Sequence, residues 1–232
     1  MDNAALAVIW YLIFVISTTC HEAAHGLAAK LMGDKTAYHH GLVTLDPVPH
    51  IKRSPFGMVI VPFLSFALNG WMLGWASAPY DPFWAQQNRK KSALMSLAGP
   101  AANLSLVIIA ALVIRIAILL GVFQAPSEIL FGKVTKAASE GFANSAAIVI
   151  SILFTLNLIL FTFNLIPLPP LDGSNILLFF LKDKTARRYE DLLHNQAYMI
   201  IGLIIAWQIF GPVFSVIHLA AINILYPGAG YH

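Results

Sequence analysis

From Asn3 to Ala29 the chain carries one charged residue, Glu22, and it lies within the sequence His21-Glu22-Ala23-Ala24-His25. So long an uncharged run can be apolar on every side, which predicts a helix over Asn3–Met32. At 1.5 Å per residue that helix is about 45 Å long, enough to cross a hydrocarbon core of roughly 30 Å. An ionisable group inside such a helix is costly and points to function. Residues four apart share a helix face, so His21 and His25 can grip one metal ion from one side. Glu22 lies beside that ion, where its carboxylate can take a proton from a metal-bound water. The plain alternative is a chance spacing of two core histidines, and the apolar setting weighs against it.

Composition agrees with this setting. The 232 residues are 58% hydrophobic and 11% charged, with a mean hydropathy of +0.73; soluble domains carry roughly 25% charged residues. The expected class is an all-α polytopic membrane protein, residues 1–232 forming a single intramembrane domain. The net charge of +3 gives no nucleic-acid signal, because the Lys and Arg residues fall in short loops between apolar runs. The lone cysteine, Cys20, excludes an internal disulfide and a cysteine-cluster metal site. The first apolar run lacks a basic flank and holds the histidines itself, so it does not read as a cleavable signal peptide.

Further along, Gly33-Asp34 ends the first helix, and Gly41–Leu45 has the β-branched character of a short strand at the membrane surface. Ser54–Tyr80 is uncharged but interrupted by Pro62, Asn69-Gly70 and Gly74, and Asp81–Lys91 reads as a polar loop. Apolar helices are expected over Ser92–Val122, in the run Gly141–Leu171, and in the charge-free remainder from Leu192, where Gly211-Pro212 predicts a break. Residues 124–144 read as a loop with a surface helix, and Lys182–Asp191 as a charged loop. About four spanning helices result, plus one broken segment and a short β element.

Two histidines leave a catalytic zinc short of a third protein ligand. The candidates are His39, His40, His50, His194, His218, His232 and the few carboxylates. Asp172 is the best of them. It closes an uncharged run of about thirty residues, and Pro167, Pro169 and Pro170 hold the backbone before it out of a regular helix. Irregular backbone at membrane depth belongs where it is buried in protein or lines a wet cavity. The competing reading is an N-cap for the helix that follows. In Ala98-Gly99-Pro100-Ala101-Ala102-Asn103 the small residues favour close helix packing, and Asn103 can hydrogen-bond across it.

With HEAAH, GPAAN and Asn164-Leu165-Ile166-Pro167-Leu168-Pro169-Pro170-Leu171-Asp172-Gly173 in this order, the chain resembles the site-2 protease family of intramembrane zinc metalloproteases. The resemblance runs from about His21 to Leu178. It implies one zinc held by His21, His25 and Asp172, Glu22 as the base, and Asn164 as the residue that positions substrate or stabilises the oxyanion. It implies membrane-protein substrates, cut within or near a transmembrane segment in the lipid bilayer. The compact length leaves no room for an inserted PDZ domain or a C-terminal nucleotide-sensing domain. Two other classes use the same residue types. A membrane zinc carrier or channel needs the His and Asp but not Glu22, and an inactive scaffold binds membrane segments without cutting them. His39, His40 and His50 read as surface polar residues ahead of a second metal site.

One zinc joining His21, His25 and Asp172 places their helix ends at one depth. Lys30, Lys35, Lys52, Arg53, Arg89, Lys90, Lys91, Lys182, Lys184, Arg187 and Arg188 then lie on that side, against Lys133 and Lys136 opposite, with Arg115 in a helix near them. That imbalance predicts a cytoplasmic active-site face. It also predicts that Ser54–Tyr80 enters the membrane and returns.

Overall fold

The computed structural model describes residues 3–193 and 195–231, apart from the side chain of residue 183. Helix α1 spans Asn3–Met32, the bounds expected. It ends in a Schellman motif: Gly33 takes φ +116°, Asp34 N–H donates to Ala29 O at 2.9 Å, and Gly33 N–H donates to Lys30 O at 3.3 Å. The short helices α2 (Thr36–His39) and α3 (Pro47–Arg53) follow. Gly41–Leu45 is not a strand. Gly41 turns the chain at φ +70° and Leu42 N–H bonds Ala37 O, which closes the backbone locally. Ala37, Leu42 and Val43 then pack around Gly26 of α1.

The uncharged segment after α3 folds back on itself. A π-helical turn, Phe56–Ile60, runs into α4, Val61–Asn69, and this continuous helix meets α3 at 113°. Its fourteen residues reach about 21 Å at 1.5 Å each, less than a membrane core. Gly70, at φ +76°, ends it, and residues 71–81 return without regular structure. The two limbs touch closely: Trp75 N–H donates to Gly57 O at 3.1 Å and Leu73 N–H to Ser65 Oγ at 2.8 Å. Gly57 and Gly74 face each other where a side chain on either would strike backbone. Met58 and Met72, one on each limb, are fully buried against Trp10 and Phe14 of α1.

Both ends of this segment lie beside the C-terminal end of α1. Arg53 Nε donates to Ser77 O at 2.9 Å, and Asp81 N–H donates to Asp34 Oδ2 at 2.9 Å. The other Asp34 oxygen accepts from Thr36 N–H and Oγ–H. Burial raises the Asp34 pKa, but these hydrogen bonds outweigh it and hold it below the usual carboxylate value. A carboxylate depressed on folding adds stability above its unfolded pKa, and that stability is lost as pH falls through the folded value. The tie between α1 and the returning limb therefore belongs to neutral pH and loosens in acid.

The stretch read as a loop at 81–91 holds a short helix, α5 (Pro82–Gln87), capped by Asp81. Helix α6 (Arg89–Leu119) packs along both α1 and α7 (Phe142–Asn164). Between α6 and α7 the expected surface helix is absent. Phe123–Gln124 and Lys136–Ala137 pair instead as an antiparallel ladder, β1 and β2, and Ser151 Oγ accepts from Val134 and Thr135 N–H. This ladder is the β element of the fold, in a different loop from the one expected.

After α7 come the proline-rich turn and α8 (Asp172–Leu177), α9 (Asp183–Leu193) and α10 (Gln196–Leu225). The expected charged loop at 182–191 is the helix α9. It buries Ala186 and is tied to the start of α6 by Arg89 Nε donating to Glu190 Oε1 at 2.8 Å, a partner about a hundred residues distant. The expected break at Gly211-Pro212 does not occur, and α10 runs through Pro212. Proline removes one backbone donor, and an apolar setting strongly favours keeping the remaining helix bonds. Close packing of Gly202 on Pro169 seats α10 against the proline-rich turn.

Helices α1, α6, α7 and α10 are each long and apolar enough to cross a membrane. Val107, Ile114, Phe154, Leu158, Phe210 and Phe214 form the core shared by α6, α7 and α10. The outer faces of α6 and α10 expose Ile109, Leu112, Ile116, Ile204 and Trp207, as expected of lipid-facing helices.

Candidate metal centre

His21 and His25 lie one turn apart on α1, on the face that meets α6. Asp172 reaches them from the first turn of α8. The proline-rich turn places it there. Leu171 occupies the cap position without a side-chain cap bond, so Asp172 is not the N-cap and its carboxylate is aimed at the histidines. Gly173 follows where any side chain would strike the Leu165 and Ile166 carbonyls, which lets α8 start hard against the turn.

The three ligand-type atoms converge. His21 Nε2 is 3.1 Å and His25 Nε2 3.3 Å from Asp172 Oδ2, and the two Nε2 atoms are 3.0 Å apart. Ligands about 2.05 Å from a tetrahedral zinc sit about 3.3 Å from one another, so the spacing fits one ion. Gly99 of α6 strengthens the fit, because a Cβ there would fall on the Nε2 atoms of both histidines. Each histidine uses its other nitrogen as a donor. His21 Nδ1–H bonds Asn103 Oδ1 at 2.6 Å, and His25 Nδ1–H bonds Met95 O at 2.8 Å. This is the usual second tier around metal-bound imidazole.

Glu22 is buried to 6% relative exposure. Among the described residues no group hydrogen-bonds its carboxylate. A buried carboxylate without a fixed partner beside a metal site is available for proton transfer. Asn164 is the last residue of α7, and its amide donates back to Leu160 O at 3.0 Å. The structure does not bond it to the histidines or to Asp172. One of its two N–H donors remains for another partner.

Among the described residues His21, His25 and Asp172 form the one cluster fit to hold a metal. His39, His40, His50 and His218 do not join it. His50 is buried and donates through Nε2 to Thr44 O at 3.1 Å, a loop-packing role. His194 and His232 lie outside the described residues. The residues a linear reading undervalued are Asn103, which it assigned to helix packing, and Asn157, Ser17 and Met95. The signal was isolated uncharged polar side chains in otherwise apolar helices.

Four long apolar helices and a two-histidine, one-carboxylate cluster are the features of a membrane-embedded metalloprotein. The chain belongs to peptidase family M50, the site-2 protease family, whose model matches residues 9–208. It is 35% identical over 175 residues to "Putative zinc metalloprotease YwhC" of Bacillus subtilis (strain 168), covering 74% of this chain and 69% of that protein. It is 27% identical over 205 residues to "Putative zinc metalloprotease Rip2" of Mycobacterium tuberculosis (strain ATCC 25618 / H37Rv), covering 88% of this chain and 70% of that one. No solved structure matches it. The chain is thus a zinc metalloprotease and an integral membrane protein.

Proposed function

We propose that this protease hydrolyses peptide bonds within or beside transmembrane segments of membrane-protein substrates, inside the lipid bilayer, with residues 1–232 acting as one intramembrane domain. The observation that carries this reading is the convergence of His21, His25 and Asp172 inside a bundle of apolar helices. In this reading those three residues hold one zinc. Bound there, zinc supplies Lewis acidity, which polarises a carbonyl and lowers the pKa of water. Glu22 removes the proton from the attacking water and returns it to the departing amine. Asn164 uses its remaining N–H to hold the substrate backbone or the developing oxyanion.

A helical substrate shields its peptide bonds, so a stretch must unwind before attack. Residues 76–80 run without a strand partner among the described residues and offer an edge for an extended segment. The test is cleavage of single-span substrates in liposomes with cut positions mapped by mass spectrometry. Chelator-sensitive cuts in or next to the span are expected. Cuts confined to water-exposed loops remote from the span would overturn the reading.

The active-site face is assigned to the cytoplasm from the eleven Lys and Arg residues on that side against Lys133 and Lys136 opposite. The contacts of Arg53 with Ser77 and of Asp34 with Asp81 support a common side for both ends of the returning segment. In a Cys20→Ser background, single cysteines at Ser54 and Asn88 are expected to label from the cytoplasmic side alone. Labelling of the two from opposite sides would exclude a returning segment, and labelling of both from outside would invert the orientation.

A further inference from the structure

Met95, Gly99 and Asn103 follow one another at four-residue spacing on α6, which stacks them on one face. Ser17, His21 and His25 do the same on α1. The two helices run in opposite directions, so the rows match end to end. Met95 O meets His25 Nδ1, Asn103 Oδ1 meets His21 Nδ1, and Gly99 lies between them against both Nε2 atoms. We infer that this face of α6 is the second half of the metal centre: Asn103 and the Met95 carbonyl position His21 and His25 by fixing which ring nitrogen carries the proton, and Gly99 keeps clear the space their Nε2 atoms share. The inference rests on the zinc reading of the site.

Backbone carbonyls fix the direction of the hydrogen bonds. Asn157 on α7 donates through Nδ2 to Leu153 O at 2.8 Å. A carbonyl only accepts, so the NH₂ of Asn157 must lie on that side and its Oδ1 must face Asn103. Asn103 therefore presents its own NH₂ to Asn157 Oδ1 at 2.8 Å. The same NH₂ points at Ser17 O, 3.4 Å away, which flipping the amide would turn into a contact between two acceptors. Asn103 Oδ1 is then left for His21, whose Nδ1 must carry the hydrogen. Met95 O imposes the same state on His25 without an intermediary. The remaining Asn157 N–H reaches Ser17 Oγ at 2.9 Å, so both amides have every donor used. Ser17, Asn103 and Asn157 are fully buried, where an unmade bond is costly. Both imidazoles are held with Nε2 lone pairs turned to the same space. Asn103 and Asn157 act through His21 and are positioning residues.

The test compares zinc affinity, by chelator competition, and the visible spectrum of the cobalt-substituted protein. Wild type, Asn103→Leu, Asn103→Asp and Gly99→Ala are measured in detergent, with helical content checked by circular dichroism. Asn103→Leu is expected to bind zinc about 10–100-fold more weakly and to shift the cobalt bands. Asn103→Asp keeps an acceptor for His21 but sets its other oxygen against Asn157 Oδ1 and Ser17 O, so it is expected to bind zinc between wild type and Asn103→Leu, with bands shifted by the more basic partner. Gly99→Ala is expected to lose more affinity than Asn103→Leu. Wild-type affinity and an unchanged spectrum in Asn103→Leu would overturn the positioning role, and wild-type affinity in Gly99→Ala would overturn the spacing role. If Asn103→Leu loses helical content, Asn103→Asp decides, and unchanged cobalt bands there count against the inference. A wild type that binds no zinc would remove the zinc reading itself, and this inference with it.

Discussion

Glu22→Gln is expected to retain zinc and to lose cleavage of a single-span substrate by about 10²–10⁴-fold, the scale of a general acid–base contribution. Glutamine keeps the shape of the side chain but cannot accept a proton at neutral pH. The metal should be undisturbed, because the converging atoms belong to His21, His25 and Asp172. Folding should be little affected as well, since no hydrogen bond to the Glu22 carboxylate is formed among the described residues. The assay is single-turnover proteolysis in liposomes alongside elemental analysis of the same sample. Cleavage at the wild-type rate would remove Glu22 from the mechanism. The variant also separates protease from carrier: a zinc carrier built on the same ligands would move zinc equally well with glutamine there.

Replacing both histidines, His21→Ala with His25→Ala, is expected to empty the site, from about one zinc per chain to none. Asp172→Ala should retain zinc only weakly, because two imidazoles remain without the anionic ligand. The His21 substitution also strands the Asn103 carbonyl oxygen, an unmade buried bond costing about 1–3 kcal/mol. The zinc content of each variant is therefore compared at equal helical content. The bundle itself should persist, because α1 packs through Trp10 and Phe14 on Met58 of the π-helical turn, Met72 of the returning limb, and Ile152 and Leu156 of α7, away from the site. Full zinc occupancy in the double variant would refute this ligand assignment.

The sequence by itself determined what depends on local pattern. The long apolar stretch from Asn3 marked α1 as one long helix, Gly33-Asp34 marked its end at Met32, and the four-residue spacing of His21 and His25 put both on one face. The prolines before Asp172 announced irregular backbone, and the breaks in Ser54–Tyr80 announced a bent, interrupted segment. These features follow from helix period, proline geometry and the cost of charge in an apolar medium, all readable over a few residues.

Tertiary structure alone decided the rest. The residues at 182–191 look like a loop until Glu190 meets Arg89 and Ala186 is covered. Pro212 looks like a break until the whole length of α10 is seen to continue through it. Gly41–Leu45 has strand-forming residues, but a ladder needs a partner, and the chain gives this stretch the small-residue surface of α1 instead. Asn103 looks like helix-packing polarity until α1 is laid antiparallel along α6 and its amide meets His21 at 2.6 Å. In each case the deciding partner is far away in sequence. Propensity and period report a residue's neighbours along the chain, whereas the energy of a buried polar group depends on which distant group the fold brings within hydrogen-bond reach.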